Sequence, residues 1–360
     1  MSDTGIEKRK AEHLRLVRED SVLHSKPTLL SDIRLVHQAL PELNLSDIDT
    51  TASLFGKPLK LPLMITGMTG GTEYAGELNR GLAALAADQG IAFAVGSQRV
   101  LWRHEHLLAD FAVRDIIGEG VLLGNIGAAQ LLHEPMDRIV ALVSMIEADG
   151  LCLHLNPAQE LVQEEGDREF RGVCEKITEL NERLDGRLLV KETGAGLSPE
   201  TLIKLRSSGV DCVDVSGSGG TSWTRVEQQR AVSERSQRLG RSIGDWGVPT
   251  AFSIIAARSV LGEQATVIGS GGIRDGLDVA RVLAAGGNIA GFARSVLLQF
   301  MDHGAEGAAQ WVEQLGEELR SVMLLCGARN CNELMHVPRV YTGELKDWLA
   351  AYGWPGQGRT

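Results

Sequence analysis

The sequence predicts a (β/α)8 TIM barrel with an N-terminal extension and a long loop after the sixth strand. Short apolar runs alternate with amphipathic helical patterns, eight such runs occur, and nearly all of them end in polar or glycine-rich residues. At 360 residues with 43% hydrophobic content, the chain suits one barrel-sized domain. A doubly wound parallel sheet is the main alternative, since the strand count is taken from sequence alone.

The eight runs are rich in apolar and β-branched residues, which is typical of buried parallel strands. They span residues 61–66, 91–96, 121–126, 151–155, 187–191, 211–215, 265–269 and 288–293. Helix signals lie between them: Ser198-Pro199-Glu200 precedes a helical pattern over Thr201–Ser208, and a glycine pair follows Leu277–Ala285. We therefore divide the chain into an extension over residues 1–60, with a basic segment, and a barrel over residues 61–360.

Residues 222–249 form a long polar excursion between the sixth strand and its helix, rich in Arg and Gln. A loop of this length inside a compact domain is usually functional or disordered. Both a functional loop and a solvated insertion are compatible with its composition.

The composition indicates which kinds of partner the protein can bind and in which compartment it works. The net charge of −11 argues against nucleic acid, and an anionic small molecule must meet local basic residues. The five cysteines include no Cys-x-x-Cys pair, which indicates neither a disulfide framework nor a zinc ribbon but a reducing compartment. Since residues 1–18 lack an apolar signal region and no long apolar stretch follows, we expect a cytoplasmic protein that does not enter a membrane.

Two glycine-rich tips follow the sixth and seventh strands, Gly217-Ser218-Gly219-Gly220 and Gly269-Ser270-Gly271-Gly272. Glycines let backbone N–H groups approach a phosphate closely, and a following helix N-terminus adds positive potential. Neither tip has the glycine spacing of a dinucleotide fold. Each tip alone could be a simple tight turn, but their adjacent barrel positions predict a phosphate site.

Two further groups of polar residues lie at strand ends. Lys191 ends an apolar strand, where a lone lysine is costly to bury unless it faces an anion or a polarised ring, so we predict contact with a cofactor. His154, Asn156, Gln159 and Glu160 follow the fourth strand and supply a proton-capable ring, two amides and a carboxylate able to hold Mg²⁺. The alternative is a core histidine and an ordinary helix-start charge.

Taken in order, these strand ends resemble the type 2 isopentenyl-diphosphate isomerases, which are flavin-dependent barrel enzymes. The likeness spans almost the whole chain, and the ordered set of motifs is specific although each motif alone is weak. The motifs are Arg9-Lys10-Ala11-Glu12-His13, Met68-Thr69-Gly70-Gly71, Gly96-Ser97-Gln98-Arg99, Asn125, His154-Leu155-Asn156-Pro157-Ala158-Gln159-Glu160, Lys191-Glu192-Thr193-Gly194, Ser216-Gly217-Ser218-Gly219-Gly220-Thr221, Gly271-Gly272-Ile273-Arg274 and Ala293-Arg294.

The resemblance implies which residues bind cofactor, substrate and metal. The implied FMN contacts are Gly67, Met68, Thr69, Ser97, Asn125, Lys191, Ser216, Thr221, Gly271, Gly272, Ile273, Arg274, Ala293 and Arg294. The implied substrate contacts are Arg9, Lys10, Ser97, Arg99, His154, Asn156 and Gln159. Glu160 is the implied Mg²⁺ ligand, and NADPH is the implied reductant that primes the flavin. The resemblance also implies a homo-oligomer.

The implied activity is the isomerisation of isopentenyl diphosphate to dimethylallyl diphosphate with reduced FMN and Mg²⁺, in isoprenoid biosynthesis. Moving the double bond requires one proton delivered and another removed, with no net redox change. The flavin is the first candidate for that acid and base; Gln159 and His154 are the candidate catalytic side chains of the protein. The competing interpretation is an FMN-dependent barrel oxidoreductase of the 2-hydroxy-acid oxidase type, with His154 as the base.

Overall fold

The computed structural model describes residues 12–68 and 73–354, and these form a closed barrel of eight parallel strands. The barrel strands, labelled β1 to β8, are Leu63–Ile65, Ala92–Ala94, Leu122–Gly127, Gly150–Leu155, Leu188–Glu192, Cys212–Asp214, Thr266–Ser270 and Ile289–Phe292. Each overlaps one of the eight predicted runs. The sheet closes because β8 pairs with β1, with Ala290 opposite Leu63. The predicted barrel is therefore confirmed, and the open doubly wound sheet is excluded.

Helices surround the barrel. The α-helices, labelled α1 to α13, are Glu73–Gln89, Arg114–Ile117, Met136–Met145, Pro157–Val162, Val173–Arg183, Pro199–Ser207, Trp223–Arg230, Glu234–Ile243, Thr250–Leu261, Gly276–Ala284, Arg294–Cys326, Cys331–Leu334 and Gly343–Ala351. Short 3-10 helices lie at Asp20–Val22, Leu30–Asp32, Leu45–Asp47, Gln98–Trp102, Glu105–Asp110 and Ala128–Leu132. The two helices predicted from capping signals match α6 and α10. Helix α11 contains a kink at Gly304, whose φ is 69°.

Successive side chains of a strand point to opposite faces of the sheet, so the barrel has an inner core and an outer core. Inward-facing residues such as Met64, Leu123 and Leu189 form an inner cluster that is fully buried or nearly so. A small hairpin, Ala52–Leu54 with Lys57–Leu59, adds Leu54 and Leu59 to this cluster. The outward-facing residues pack against the helices. The apolar inner core therefore does not fill the carboxyl ends of the strands, where polar residues lie.

The predicted long excursion over residues 222–249 lies between β6 and α9, and most of it is helical rather than irregular. It contains α7 and α8, and α7 begins at a cap in which the hydroxyl of Ser222 accepts from the N–H of Arg225 (3.2 Å). The buried residues of α7 include the polar Thr224 and Glu227, so α7 lacks the apolar stripe by which an amphipathic helix is recognised. The helices lie beside α4 at the carboxyl end of the barrel.

The N-terminal extension crosses the same end of the barrel. Residues 12–16 are helical, and Leu23 forms a β-bridge with Thr221. Farther along, the strand Ile33–Leu35 pairs antiparallel with Arg339–Tyr341. Of the helices in residues 12–68 and 73–354, none is both long and apolar enough to cross a membrane.

Candidate active site

A cavity of about 710 Å³ opens at the carboxyl ends of the barrel strands, a volume in the range of small-molecule and cofactor sites. All of the predicted site residues that the structure describes line it: Gly67, Met68, Ser97, Arg99, Asn125, His154, Asn156, Gln159, Glu160, Lys191, Ser216, Thr221, Gly271, Gly272, Ile273, Arg274, Ala293 and Arg294. Arg9, Lys10 and Thr69 lie outside the described residues. Parallel strands bring these distant segments together because their carboxyl ends meet at one face. Their individual roles stay predictions.

The two glycine tips meet at one side of the cavity. We call Gly217–Gly220 the β6 tip and Gly271–Gly272 the β7 tip. A Cβ atom on Gly220 would lie 2.5 Å from the nitrogen of Gly272, and one on Gly271 would lie 2.3 Å from the carbonyl oxygen of Gly217. Gly271 and Gly272 also have φ values of 105° and 78°, which glycine adopts readily. Together the tips expose backbone rather than side chains to the cavity.

Lys191 lies in the floor of the cavity and is only 5% exposed. Its ammonium donates to the carbonyl oxygen of Glu192 (2.6 Å), and within residues 12–68 and 73–354 it makes no other hydrogen bond. An ammonium has three donors, so two remain for a ligand. On the neighbouring strand, the buried carboxyl of Asp214 accepts from the hydroxyl of Ser270 (2.6 Å). Burial raises the pKa of Asp214, and the charge of Lys191 opposes that rise.

His154 is held as a neutral ring. Its Nδ1 donates to Oδ1 of Asn125 (2.9 Å), whose own backbone N–H donates to the buried side chain of Gln98 (2.9 Å). Burial, together with the charges of Lys191 and Arg99, lowers the pKa of His154 to about 3. The ring is therefore uncharged near neutral pH, with Nδ1 as its donor and Nε2 as its acceptor.

Glu160 and its neighbours come from the first turn of α4. The side chain of Asn156 donates to Oε1 of Glu160 (2.9 Å), and the N–H of Asp167 donates to Oε2 (2.7 Å). Glu160 is buried, and these two bonds fix the orientation of its carboxylate toward the cavity. Each oxygen keeps a lone pair for a hard cation.

Gln159 is anchored by a carboxylate from α7 that the sequence did not single out. Its amide donates to Oε1 of Glu227 (2.9 Å), which also accepts from Nε2 of His13 (2.9 Å). The guanidinium of Arg230 donates to the other oxygen of Glu227. Burial would raise the pKa of Glu227, but the hydrogen bond and charge of His13, with Arg230 and Gln159, lower it to about 2. Glu227 thus joins the extension, the excursion and α4 in one ionic network.

Arg294 ties the extension to the barrel. Its guanidinium donates to the carbonyl oxygen of Val17 (2.6 Å) and to the carboxylate of Asp20 (2.9 Å). Leu14, Val17 and Thr28 of the extension line the cavity. The extension is therefore one wall of the site.

Comparisons with known proteins show the family of the chain. A curated isopentenyl-diphosphate delta-isomerase from Methanopyrus kandleri is 40% identical over 351 residues, which cover 97% of this chain and 96% of the relative. Another from a Nostoc species is 41% identical over 331 residues, covering 91% and 94%. The chain belongs to the isopentenyl-diphosphate delta-isomerase family. It is an enzyme.

A family model and two solved structures also match this isomerase-family chain. Residues 129–338 of the chain match the FMN-dependent dehydrogenase family. A lactate oxidase structure from Pediococcus acidilactici superposes with a TM-score of 0.67 at 15% identity, covering 94% of each chain. The flavin-binding domain of flavocytochrome b2 from baker's yeast superposes with a TM-score of 0.63 at 17% identity, covering 88% of this chain and 78% of that one. At these identities, the two structures support the fold alone.

Several cavity residues of this isomerase-family chain escaped sequence analysis. They are Leu14, Val17, Thr28 and Trp223, with Glu227 behind Gln159. Ser270, which also lines the cavity, belongs to the second glycine tip and was part of the predicted phosphate site. The others come from the extension and the excursion, and their positions depend on how those segments pack on the barrel.

Proposed function

We propose that the protein converts isopentenyl diphosphate to dimethylallyl diphosphate in isoprenoid biosynthesis, using reduced FMN and Mg²⁺. One observation carries the proposal: a single cavity combines a backbone cradle suited to phosphate with a separate group of polar side chains suited to a second anion. The family membership of the chain supports the same reaction. We further propose that the enzyme is a cytoplasmic homo-oligomer.

The backbone of the β6 and β7 tips, together with Lys191 in the floor of the cavity, suits FMN. The β6 and β7 tips offer backbone N–H groups, and α11 begins directly after β8 at Arg294, so its N-terminus adds positive potential for a phosphate. Because the guanidinium of Arg294 is bound to the extension, its expected contribution to that site is through its backbone N–H. Lys191 would meet the ring. When bound and reduced, FMN supplies an electron-rich face and a ring nitrogen that exchanges a proton.

The opposite side of the cavity suits the substrate. Arg99, Asn156 and Gln159 present cationic and amide groups there, and Arg9 and Lys10 are proposed to add charges from the extension. Such groups would fix the diphosphate so that the alkene lies over the ring. Neutral His154 would turn its acceptor nitrogen toward the site, where it can accept a hydrogen bond from the substrate or the cofactor. Gln159, fixed by Glu227, would orient the alkene end or relay a proton.

An assay with isopentenyl diphosphate tests the function directly. Protein loaded with FMN, supplied with Mg²⁺ and reduced once with NADPH or dithionite, is expected to form dimethylallyl diphosphate over many turnovers. NADPH serves only to prime the cofactor because the reaction is redox-neutral. Oxidation of one NADPH per product formed, or oxidation of a 2-hydroxy acid without any isomerisation, would place the chain among the oxidoreductases instead.

Glu160→Gln is expected to raise the Mg²⁺ concentration needed for half-maximal isomerisation by at least about 10-fold. The amide keeps the shape of the side chain but loses the charge, and Mg²⁺ commonly relies on one or two carboxylates, water and substrate phosphates. The measurement is the isomerisation rate across a Mg²⁺ titration. Glu134→Gln is the control, because Glu134 also lines the cavity but pairs with Arg138. Equal Mg²⁺ dependence for Glu160→Gln and wild type would remove Glu160 from the metal site.

Lys10→Ala is expected to weaken substrate binding by about 10-fold to 150-fold while leaving FMN binding intact, since it removes one charge-assisted contact to the diphosphate. Arg9→Ala should behave alike, and Lys8→Ala is the matched control from the same basic run. Substrate and FMN affinities are measured side by side for all three variants. Indistinguishable substrate affinities would mean that the run is a solvated surface.

A further inference from the structure

Beneath the two glycine tips lies one threonine hydroxyl that touches both. Thr250 is fully buried, and its Oγ lies 2.8 Å from the carbonyl oxygen of Gly271 and 3.2 Å from that of Ser218. The backbone N–H of Thr250 also donates to the Ser218 carbonyl (3.2 Å). Thr250 is the first residue of α9, where an N–H has no partner within the helix and must find one outside. The start of α9 is thus bonded to both tips.

We propose that Thr250 is a positioning residue that fixes the spacing of the β6 and β7 tips, and thereby the backbone groups that hold the FMN phosphate. The inference rests on the proposed function, because it takes the tips to be the phosphate site. Thr250 itself does not line the cavity, so it acts through the tips.

The packing around Thr250 explains why a hydroxyl is needed there. A Cβ atom on Gly217 would lie 2.3 Å from Cα of Thr250, and one on Gly271 would lie 2.8 Å from its Oγ, so the tips close directly onto this residue. The two carbonyl oxygens converge on the same buried point. Without the hydroxyl, the buried carbonyl of Gly271 would lose this donor, the carbonyl of Ser218 would keep only the N–H of Thr250, and the tips would move apart.

The next turn of α9 supplies a matched comparison. Ser253 is also fully buried, and its hydroxyl donates to the carbonyl oxygen of Leu197 (2.8 Å) and accepts from the N–H of that residue (2.9 Å). That bond fastens the same helix to the loop after β5, which is not part of the tips. Ser253→Ala therefore removes a buried hydroxyl from α9 without altering the phosphate cradle.

The test compares FMN with riboflavin, which carries the same ring without the phosphate. Thr250→Val, which keeps the shape but lacks the hydroxyl, is expected to weaken FMN binding by about 10-fold and to leave riboflavin binding unchanged. Thr250→Ser keeps the hydroxyl and should bind FMN as tightly as the wild type. Ser253→Ala should have the same ratio of FMN affinity to riboflavin affinity as the wild type. Both dissociation constants are measured on the full apoprotein by the quenching of flavin fluorescence.

Several results would overturn the inference. FMN affinity unchanged in Thr250→Val, an equal loss of FMN and riboflavin affinity, or no recovery in Thr250→Ser would each assign Thr250 to general packing. If Thr250→Val does not fold, Thr250→Ala replaces it; failure of both while Thr250→Ser folds would assign the hydroxyl to folding. Equal affinity of the wild type for FMN and riboflavin would instead overturn the proposed phosphate site, and this inference with it.

Discussion

Replacing Lys191 by methionine is expected to weaken FMN binding by about 100-fold to 1,000-fold. The ammonium is buried in the cavity floor, and its one hydrogen bond among the described residues leaves donors facing the proposed ring. Methionine keeps the length of the side chain but removes the charge. The loss should be greater for reduced than for oxidised FMN, because the reduced ring carries more negative charge at its pyrimidine edge.

The measurement is a titration of apoprotein with FMN in each redox state, followed by fluorescence or absorption. Lys204→Met is the control, since Lys204 is an exposed lysine in the last turn of α6 and does not line the cavity. Equal FMN affinities for Lys191→Met and wild type would mean that the buried ammonium serves the barrel core rather than the cofactor. Equal losses in both redox states would place it near the phosphate or the ribityl chain.

The barrel could be predicted from sequence because its strands are buried on both faces and its helices are capped. Runs such as 121–126 and 187–191 contain mostly apolar residues and carry a polar residue at or next to their carboxyl end, and each became a strand within one or two residues of the prediction. The side chains at the strand ends could be placed from sequence because the strands themselves could be predicted. Once the strands are parallel and adjacent, Asn125, His154 and Lys191 must meet at one face.

The residues that sequence analysis missed depend on long-range packing. Thr250 matters because α9 begins beneath two tips from different strands, and nothing in its neighbours along the chain indicates this. The helices of the excursion were not predicted from sequence because α7 buries the carboxylate of Glu227. A helix that buries a charged residue lacks the apolar periodicity by which helices are recognised. That carboxylate is buried only because His13, Gln159 and Arg230 converge on it from three segments.

This convergence makes Glu227 an ionisable group whose loss should strongly affect folding stability. Glu227→Gln is expected to lower the free energy of unfolding at pH 7 by about 3 kcal/mol, because it removes one member of a buried ion pair and leaves the charge of Arg230 less well compensated. Only 1% of the Glu227 side chain is exposed, so solvent screens the interaction little. Glu182→Gln on the exposed face of α5 is the control and should leave stability unchanged.

The same substitution should flatten the acid side of the stability profile. The folded-state pKa of Glu227, about 2, lies below the value of about 4.3 for a glutamate in an unfolded chain. A lowered pKa stabilises the fold fully above the unfolded-state value, and the stabilisation is lost as the pH falls toward the folded-state value. Urea unfolding of wild type and Glu227→Gln between pH 7 and pH 3 measures this directly. The difference between the two proteins should shrink steadily as the pH falls below about 5; a difference that stays the same down to pH 3 would mean that Glu227 contributes by packing rather than by charge.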